Sequence, residues 1–193
     1  MKREVNNSFR TSGRLAWPVK LLLQIPVMFL LLCSFTPPQP QPDDDAEYGI
    51  KAAFIYKFTN YIDWSTPIPG NEFVIGIVGH SPLNTYLAQI AETKTIMGKK
   101  IVIREFNAAE EIGPCQILFI SRKTGVGLED ILAMVAGNNT LTISEKPGYA
   151  KRGAIINFIE VDDKLKFEVN TKGLNAAGLK ASSQLLKLAV IVQ

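Results

Sequence analysis

Two short segments with apolar centres constrain the fold of this chain more than any other feature. They span residues 73–79 and 116–121, and neither contains a charged side chain. A strand that is covered on both faces is apolar along its whole length, whereas a half-exposed strand alternates apolar and polar residues. Helix-like patterns lie between and around these segments. We therefore predict an α/β domain built on a largely parallel sheet.

The remaining patterns extend this prediction to the order α-β-α-β-β-α-β-β-β-α. The predicted elements are, in chain order, a helix over 49–64, a strand over 73–79, a helix opened by Ser81 and Pro82, strands over 101–106 and 116–121, a helix over 128–135, a strand over 140–144, a hairpin of 154–161 and 165–169 with a turn at 162–164, and a helix over 175–190. In the first helix, Lys51 is placed on the polar edge. The fold predicted is a three-layer sandwich, with a mostly parallel sheet of about six strands, an antiparallel edge hairpin and flanking helices.

The N-terminal quarter of the chain differs from the rest in charge and composition. Residues 1–33 hold five basic residues and one acidic residue, and the segment 21–32 is mostly apolar. A membrane-spanning helix needs roughly 20 such residues, so this shorter segment predicts a signal peptide at 1–34. An uncleaved N-terminal anchor is the alternative. Residues 35–47 are rich in proline and aspartate and predict a solvated tether, which leaves 48–193 as the folded domain.

The charge distribution argues against nucleic-acid binding. The formal net charge of the chain is +3, but residues 1–33 account for +4, so the other 160 residues carry −1. Nucleic-acid binding proteins concentrate lysine and arginine on one surface to neutralise phosphates. We therefore expect no nucleic-acid partner for the folded domain.

The most hydrolase-like motif of the chain is the segment 79–83, Gly-His-Ser-Pro-Leu, between a predicted strand and a predicted helix. A nucleophile elbow needs a backbone N–H from the residue after the serine, and Pro82 has none. His80, the single histidine, is adjacent to Ser81, not supplied by a distant loop as a general base. We predict a helix start at this position and no catalytic residue in the chain.

Metal and cofactor sites are also not expected. One histidine and two cysteines, Cys33 and Cys115, offer no paired ligand spacing for zinc. Asp43, Asp44 and Asp45 lack the alternating ligands and the glycine of a calcium loop. Cys115 adjoins an apolar strand, which indicates an inert core thiol.

The domain from Tyr48 to Val190 resembles the YfiR-like family of periplasmic regulatory proteins. The segments that carry the resemblance are Ile50–Phe58, Tyr61–Trp64, Ile75–Gly79, Cys115–Ser121, Gly153–Phe158, Leu165–Asn170 and Leu179–Ala189. The resemblance implies a periplasmic, often dimeric, non-enzymatic regulator. Its partner would be the sensor domain of a membrane-bound signalling protein, either a diguanylate cyclase of the cyclic-di-GMP pathway or a sensor kinase. The alternative function is a periplasmic accessory protein that binds a small ligand.

Two groups of residues are candidate contacts for such a partner or ligand. The aromatic density of residues 54–64 exceeds the needs of one helix stripe, and aromatic clusters suit interfaces; an exposed sheet edge is the other candidate surface. Buried amides and hydroxyls of the C-terminal third either bond to one another or line a small polar pocket. The candidate contacts are Phe58, Tyr61, Trp64, Asn157, Phe167, Asn170, Ser182 and Ser183.

Overall fold

The computed structural model describes the backbone of residues 42–192 and the side chains of residues 46–192. The predicted signal peptide at 1–34 and the tether up to residue 41 lie outside the described residues. No helix among residues 42–192 is long and apolar enough to cross a membrane.

The described chain contains helices and strands in alternation, as predicted. The helices are α1 (Pro42–Phe58), α2 (Leu83–Thr93), α3 (Leu128–Val135), α4 (Thr171–Ala176) and α5 (Ser183–Leu188), with a 3₁₀ turn at Ala109–Glu111. The strands are β1 (Ile62–Trp64), β2 (Glu72–Val78), β3 (Thr95–Ile96), β4 (Lys99–Phe106), β5 (Ile117–Ile120), β6 (Leu141–Ser144), β7 (Ile156–Val161), β8 (Lys164–Asn170), β9 (Leu179–Ala181) and β10 (Val190–Val192).

Eight of these strands form one mixed sheet in the order β10-β8-β7-β6-β5-β2-β4-β3. The central pairs from β7 to β4 are parallel, and the pairs β7–β8 and β3–β4 are antiparallel. The prediction of a mostly parallel sheet is confirmed, although the sheet has eight strands where about six were expected. β1 and β9 form a separate two-stranded antiparallel sheet.

Alternate residues along the central strands pack into two hydrophobic cores, one on each face of the sheet. On one face of β2, Phe73 and Ile75 pack in a cluster with residues of α1 and α2. On the other face, Val74 and Val78 pack in a cluster with α3. This two-sided burial explains why β2 is apolar from Phe73 onward, and it produces the three predicted layers.

The predicted helix over 49–64 is wrong at both ends. α1 begins at Pro42, so residues 42–47 of the predicted tether are helical, and proline suits the first turn of a helix. α1 ends at Phe58, and residues 62–64 form β1 with a buried-exposed-buried pattern. That alternation matches a strand with one face on the core. The segment forms a strand because it pairs with β9, which lies more than 100 residues further along the chain.

The predicted helix over 175–190 is also wrong. The segment forms part of α4, then β9, α5 and β10. Gly178 has a φ of 67°, a left-handed conformation that ends the first helical turn. The Ser182 hydroxyl then accepts a hydrogen bond from the Leu185 N–H at 3.3 Å and caps α5. A continuous helix would remove both short strands from their sheets.

The predicted hairpin is confirmed, but it is not the edge of the sheet. β7 and β8 pair from Ile156↔Val169 to Val161↔Lys164. Asp162 and Asp163 both have a φ of 54°, which is the geometry of the tight turn that suits twisted antiparallel strands. β10 pairs with β8 on its outer side and becomes the edge strand.

Candidate functional site

A buried ion pair lies at the carboxyl ends of β5 and β6. Lys51 of α1 is fully buried, and its Nζ atom lies 2.5 Å from Oε2 of Glu145, which directly follows β6. The carboxyl ends of parallel strands are where open α/β sheets bind ligands. In this protein α1 covers that edge, and the ammonium group of its Lys51 occupies the space beside Glu145.

The Glu145 carboxylate accepts hydrogen bonds from several donors. The Tyr48 hydroxyl donates to Oε1 at 3.1 Å, and the backbone N–H of Arg122 donates to the same atom at 3.1 Å. Burial and the adjacent Glu145 charge raise the pKa of Tyr48 to about 12, so the phenol stays protonated as a donor. The carboxylate is therefore held by partners from α1 and from the loop after β5.

Two further charged side chains link the buried pair to the protein surface. Glu47 lies 2.6 Å from the Lys51 Nζ atom, and the Arg122 guanidinium lies 3.5 Å from Oε2 of Glu145. Glu47 and Arg122 are partly exposed, with 3.7 Å between them. The cluster therefore fixes the middle of α1 against the sheet.

The prediction that Lys51 lies on the polar edge of the first helix is wrong, because its side chain is buried. Lys51 lies three residues after Tyr48 and four before Ile55, and both of those side chains are buried. Residues at these spacings share one helix face. The helical period alone places Lys51 inside the core. The sequence pattern does not show that Glu145, which is distant along the chain, compensates the buried charge.

The hydrolase-like motif serves as a helix start, as predicted. The buried Ser81 hydroxyl accepts a hydrogen bond from the Leu83 N–H at 3.2 Å, and His80 is exposed. The chemical role of Ser81 in this arrangement is to satisfy a free amide of α2. Among residues 46–192, no group of three potential metal ligands lies close enough together to hold a metal ion.

The predicted aromatic contacts are mostly part of the core. Phe58 stacks on Phe158 with ring centroids 6.1 Å apart and meets Phe167 edge-on at 5.0 Å. Trp64 packs against Phe73 at 5.5 Å, and its indole nitrogen has no hydrogen-bond partner within the described part of the chain. The aromatic density of the segment 54–64 therefore serves packing in the core, because Phe58 and Trp64 each contact buried rings of the sheet. Phe58, Trp64 and Phe167 are buried in this structure, and their role as partner contacts stays a prediction.

Tyr61 is the member of the aromatic group that remains exposed. Its side chain is 36% exposed, and its backbone carbonyl accepts a hydrogen bond from the Ser182 N–H at 2.8 Å. Ser183 is exposed beside Ser182. The structure therefore brings Tyr61, Ser182 and Ser183 together at one end of the β1–β9 sheet.

The two predicted asparagines do not join the serines. Asn170 caps α4, because its Oδ1 atom accepts from the Gly173 N–H at 2.9 Å and its amide donates to the Ala150 carbonyl at 2.8 Å. The Asn157 amide donates to Glu168 at 3.1 Å, and its buried Oδ1 atom has no partner among the described residues. Each polar side chain thus has its own local role, and the interpretation in which they satisfy one another does not hold.

A groove of about 550 Å³ lies where the loops after β4 and β5 meet α3. Its walls include Asn107 and Glu110 on one side and Gly125, Asp130 and Met134 on the other. Two carboxylates give the groove a negative character, which disfavours anionic ligands. No local sequence pattern indicates this groove, because its two sides are separated along the chain by the whole of β5.

Cys115 is buried, as predicted, and burial raises the pKa of its thiol from the ordinary value of 9.0 to about 12. The thiolate is the reactive form, so the folded protein should react with iodoacetamide at pH 8.5 far more slowly than the protein in urea. Because the thiol ionises in the unfolded chain first, this group favours folding below about pH 9 and loses that contribution as the pH rises toward 12. Mass spectrometry of labelled Cys115 measures the difference, and equal labelling rates in the two states would contradict the buried assignment.

Comparisons with known proteins place this architecture in a wider context. No curated protein matches the chain in sequence. Among solved structures, the fold is similar to a conserved domain protein from Vibrio cholerae O1 biovar eltor str. N16961, with a TM-score of 0.52 and 10% identity. It is also similar to an ABC domain from Streptococcus pneumonia in complex with L-Trp, with a TM-score of 0.51 and 10% identity. In both cases the match covers 76% of this chain and 60% of the other chain, and at this identity it shows a shared fold.

The family comparison covers the domain almost from end to end. The model of the family described as YfiR/HmsC-like matches residues 48–190, which run from the seventh residue of α1 to the first residue of β10. The resemblance stated from the sequence is thereby confirmed. This chain belongs to the YfiR/HmsC-like family.

Proposed function

We propose that this protein is an exported regulator that binds the periplasmic sensor part of a membrane signalling protein and modulates its activity. The partner is a diguanylate cyclase or a sensor kinase, and the regulator itself catalyses no reaction. The observation that carries this proposal is the match of the YfiR/HmsC-like family over residues 48–190. The basic, apolar N-terminal segment supports export to the periplasm.

The chemistry of the described domain supports a binding role. Ser81 is a helix cap and Cys115 is a buried thiol, so neither nucleophile is presented to a substrate. In contrast, Leu188, Val190 and Ile191 are 73%, 45% and 44% exposed, and they follow one another closely along the chain. Clustered exposed apolar side chains are typical of protein interaction surfaces.

The proposal is tested in the bacterium that makes the full-length protein. Deleting the gene should change the cellular level of cyclic di-GMP or the output of a sensor kinase, and the full chain should restore it. Cross-linking of the tagged full chain in intact cells should capture a membrane signalling protein. Unchanged signalling outputs, together with the capture of no membrane signalling protein, would contradict the proposal.

A second candidate function is the binding of a small periplasmic ligand, favoured by the groove near α3. Ligand pockets are commonly about 300–1,000 Å³, which includes this groove. L-Trp is the first compound to test, because the similar ABC domain was solved in complex with it. A ligand should raise the melting temperature of the protein, and Asp130→Asn should reduce that increase for a cationic ligand. A flat melting temperature across amino acids and nucleotide metabolites would remove this function.

A further inference from the structure

We propose that β10, the outer edge of the eight-stranded sheet, pairs with an extended segment of another protein whose apolar centre is bracketed by acidic residues. This inference rests on the proposed function, because it identifies the surface and the chemistry through which the regulator would hold its partner. It follows from the pairing, the exposure and the charges at this edge.

Within residues 42–192, the backbone of β10 is paired on one side only. Val190, Ile191 and Val192 align with Glu168, Val169 and Asn170 of β8, and β10 is the last strand in the sheet order. An edge strand offers unpaired N–H and C=O groups, which an added strand can satisfy. Proteins commonly protect such edges with lysine, proline or charged side chains. Residues 188–192 contain none of these.

The opposite edge of the same sheet shows the usual protection. β3 has only two residues, and its apolar residue Ile96 is buried. At the β10 edge, by comparison, Val190 and Ile191 project to opposite faces of the sheet and are both more than 40% exposed. The difference between the two edges indicates that the β10 edge has an occupant.

The charges at the two ends of β10 indicate what that occupant is. Lys187 lies in the last turn of α5, directly before β10, and Lys172 lies two residues beyond the end of β8, where β10 also ends. Both lysines are exposed, and neither takes part in an ion pair formed within the described chain. A segment with an acidic residue at each end complements this pattern.

The same charges disfavour a second copy of this chain as the occupant. An antiparallel copy would bring Lys187 of one protomer to the end of the other strand, where Lys172 lies. A parallel copy would bring the two Lys187 residues together. Like charges facing each other destabilise strand pairing. The edge therefore favours a different protein over self-association.

Synthetic peptides and surface variants of the full chain test this inference. The probes are a fluorescent peptide Asp-Val-Thr-Val-Thr-Val-Asp and the same peptide with lysine at both ends, measured by fluorescence anisotropy. We expect saturable binding of the acidic peptide and binding of the lysine peptide weaker by about tenfold or more. Ile191→Lys should weaken binding of the acidic peptide by about tenfold, because it introduces a charged residue on the edge strand. Ile50→Lys adds the same charge at an exposed apolar residue of α1 and should leave the affinity unchanged.

Three results obtained with the purified protein would overturn the inference. They are the absence of saturable binding of the acidic peptide, equal affinity for both peptides, and a dimer in sedimentation experiments that Ile191→Lys dissociates. Circular dichroism and the melting temperature establish that each variant is folded. If a captured signalling protein binds Ile191→Lys as well as it binds the wild type, this surface is wrong while the proposed function stands. In another outcome, the acidic peptide binds as described, gene deletion leaves the signalling outputs unchanged, and cross-linking captures no membrane signalling protein. In that case the proposed function fails and the edge site stands.

Discussion

Lys51→Met is expected to lower the free energy of unfolding by about 3–5 kcal/mol. The substitution removes the ammonium group 2.5 Å from Glu145 and leaves a buried carboxylate without its principal positive charge. Removing one member of a buried pair is much more costly than removing both, because the remaining charge has lost its compensation. Urea unfolding followed by circular dichroism measures the change.

The matched controls separate the pair from a general effect of losing a lysine. Lys57→Met changes an exposed lysine of the same helix, and we expect a change below about 0.5 kcal/mol. The double variant Lys51→Met with Glu145→Leu should recover a large part of the lost stability, since neither charge is then buried alone. Lys51→Met with the stability of the wild type would contradict the described ion pair.

Phe58→Ala is expected to lower the free energy of unfolding by about 3–5 kcal/mol. The Phe58 ring is buried between Phe54 of its own helix and two rings from β7 and β8, at centroid distances of 5.0–6.1 Å. Its removal leaves a cavity between α1 and the sheet that the surrounding rings cannot fill. The same urea unfolding experiment gives the value.

Tyr61→Ala provides the comparison, because both residues were predicted as partner contacts from the same aromatic segment. Tyr61 is 36% exposed, so its removal should lower stability by about 1 kcal/mol or less. If Tyr61 contacts a partner, its substitution should weaken capture of that partner without a matching loss of stability. Equal losses of stability for the two variants would contradict the assignment of Phe58 to the core and Tyr61 to the surface.

Local sequence patterns predicted the parts of the fold in which neighbours along the chain settle the structure. The apolar segment 73–79 predicted β2 because a strand with helices on both faces needs apolar residues on both. The helix over 128–135 was predicted at the observed bounds, since its apolar residues repeat with the helical period. The polar turn at Asp162 and Asp163 marked the hairpin for a similarly local reason.

The errors fall where a distant segment decides between two local possibilities. Residues 62–64 continue the aromatic pattern of α1, but they pair with β9 and become a strand. Residues 175–190 have helix-compatible spacing, but pairing of β9 with β1 and of β10 with β8 divides them. Strand pairing satisfies backbone groups along the whole segment, which outweighs a modest helix preference.

The sequence by itself determined the fold class, the two-sided central strands and the absence of a recognisable catalytic motif, because these depend on residue type and local spacing. Only the tertiary structure decided that Lys51 is buried against Glu145 and that Phe58 belongs to the core while Tyr61 does not. It also decided that β10 is the edge of the sheet. The physical reason is that burial and pairing are properties of two segments at once. A pattern in one segment specifies which face is apolar, and the partner that covers that face comes from elsewhere in the chain.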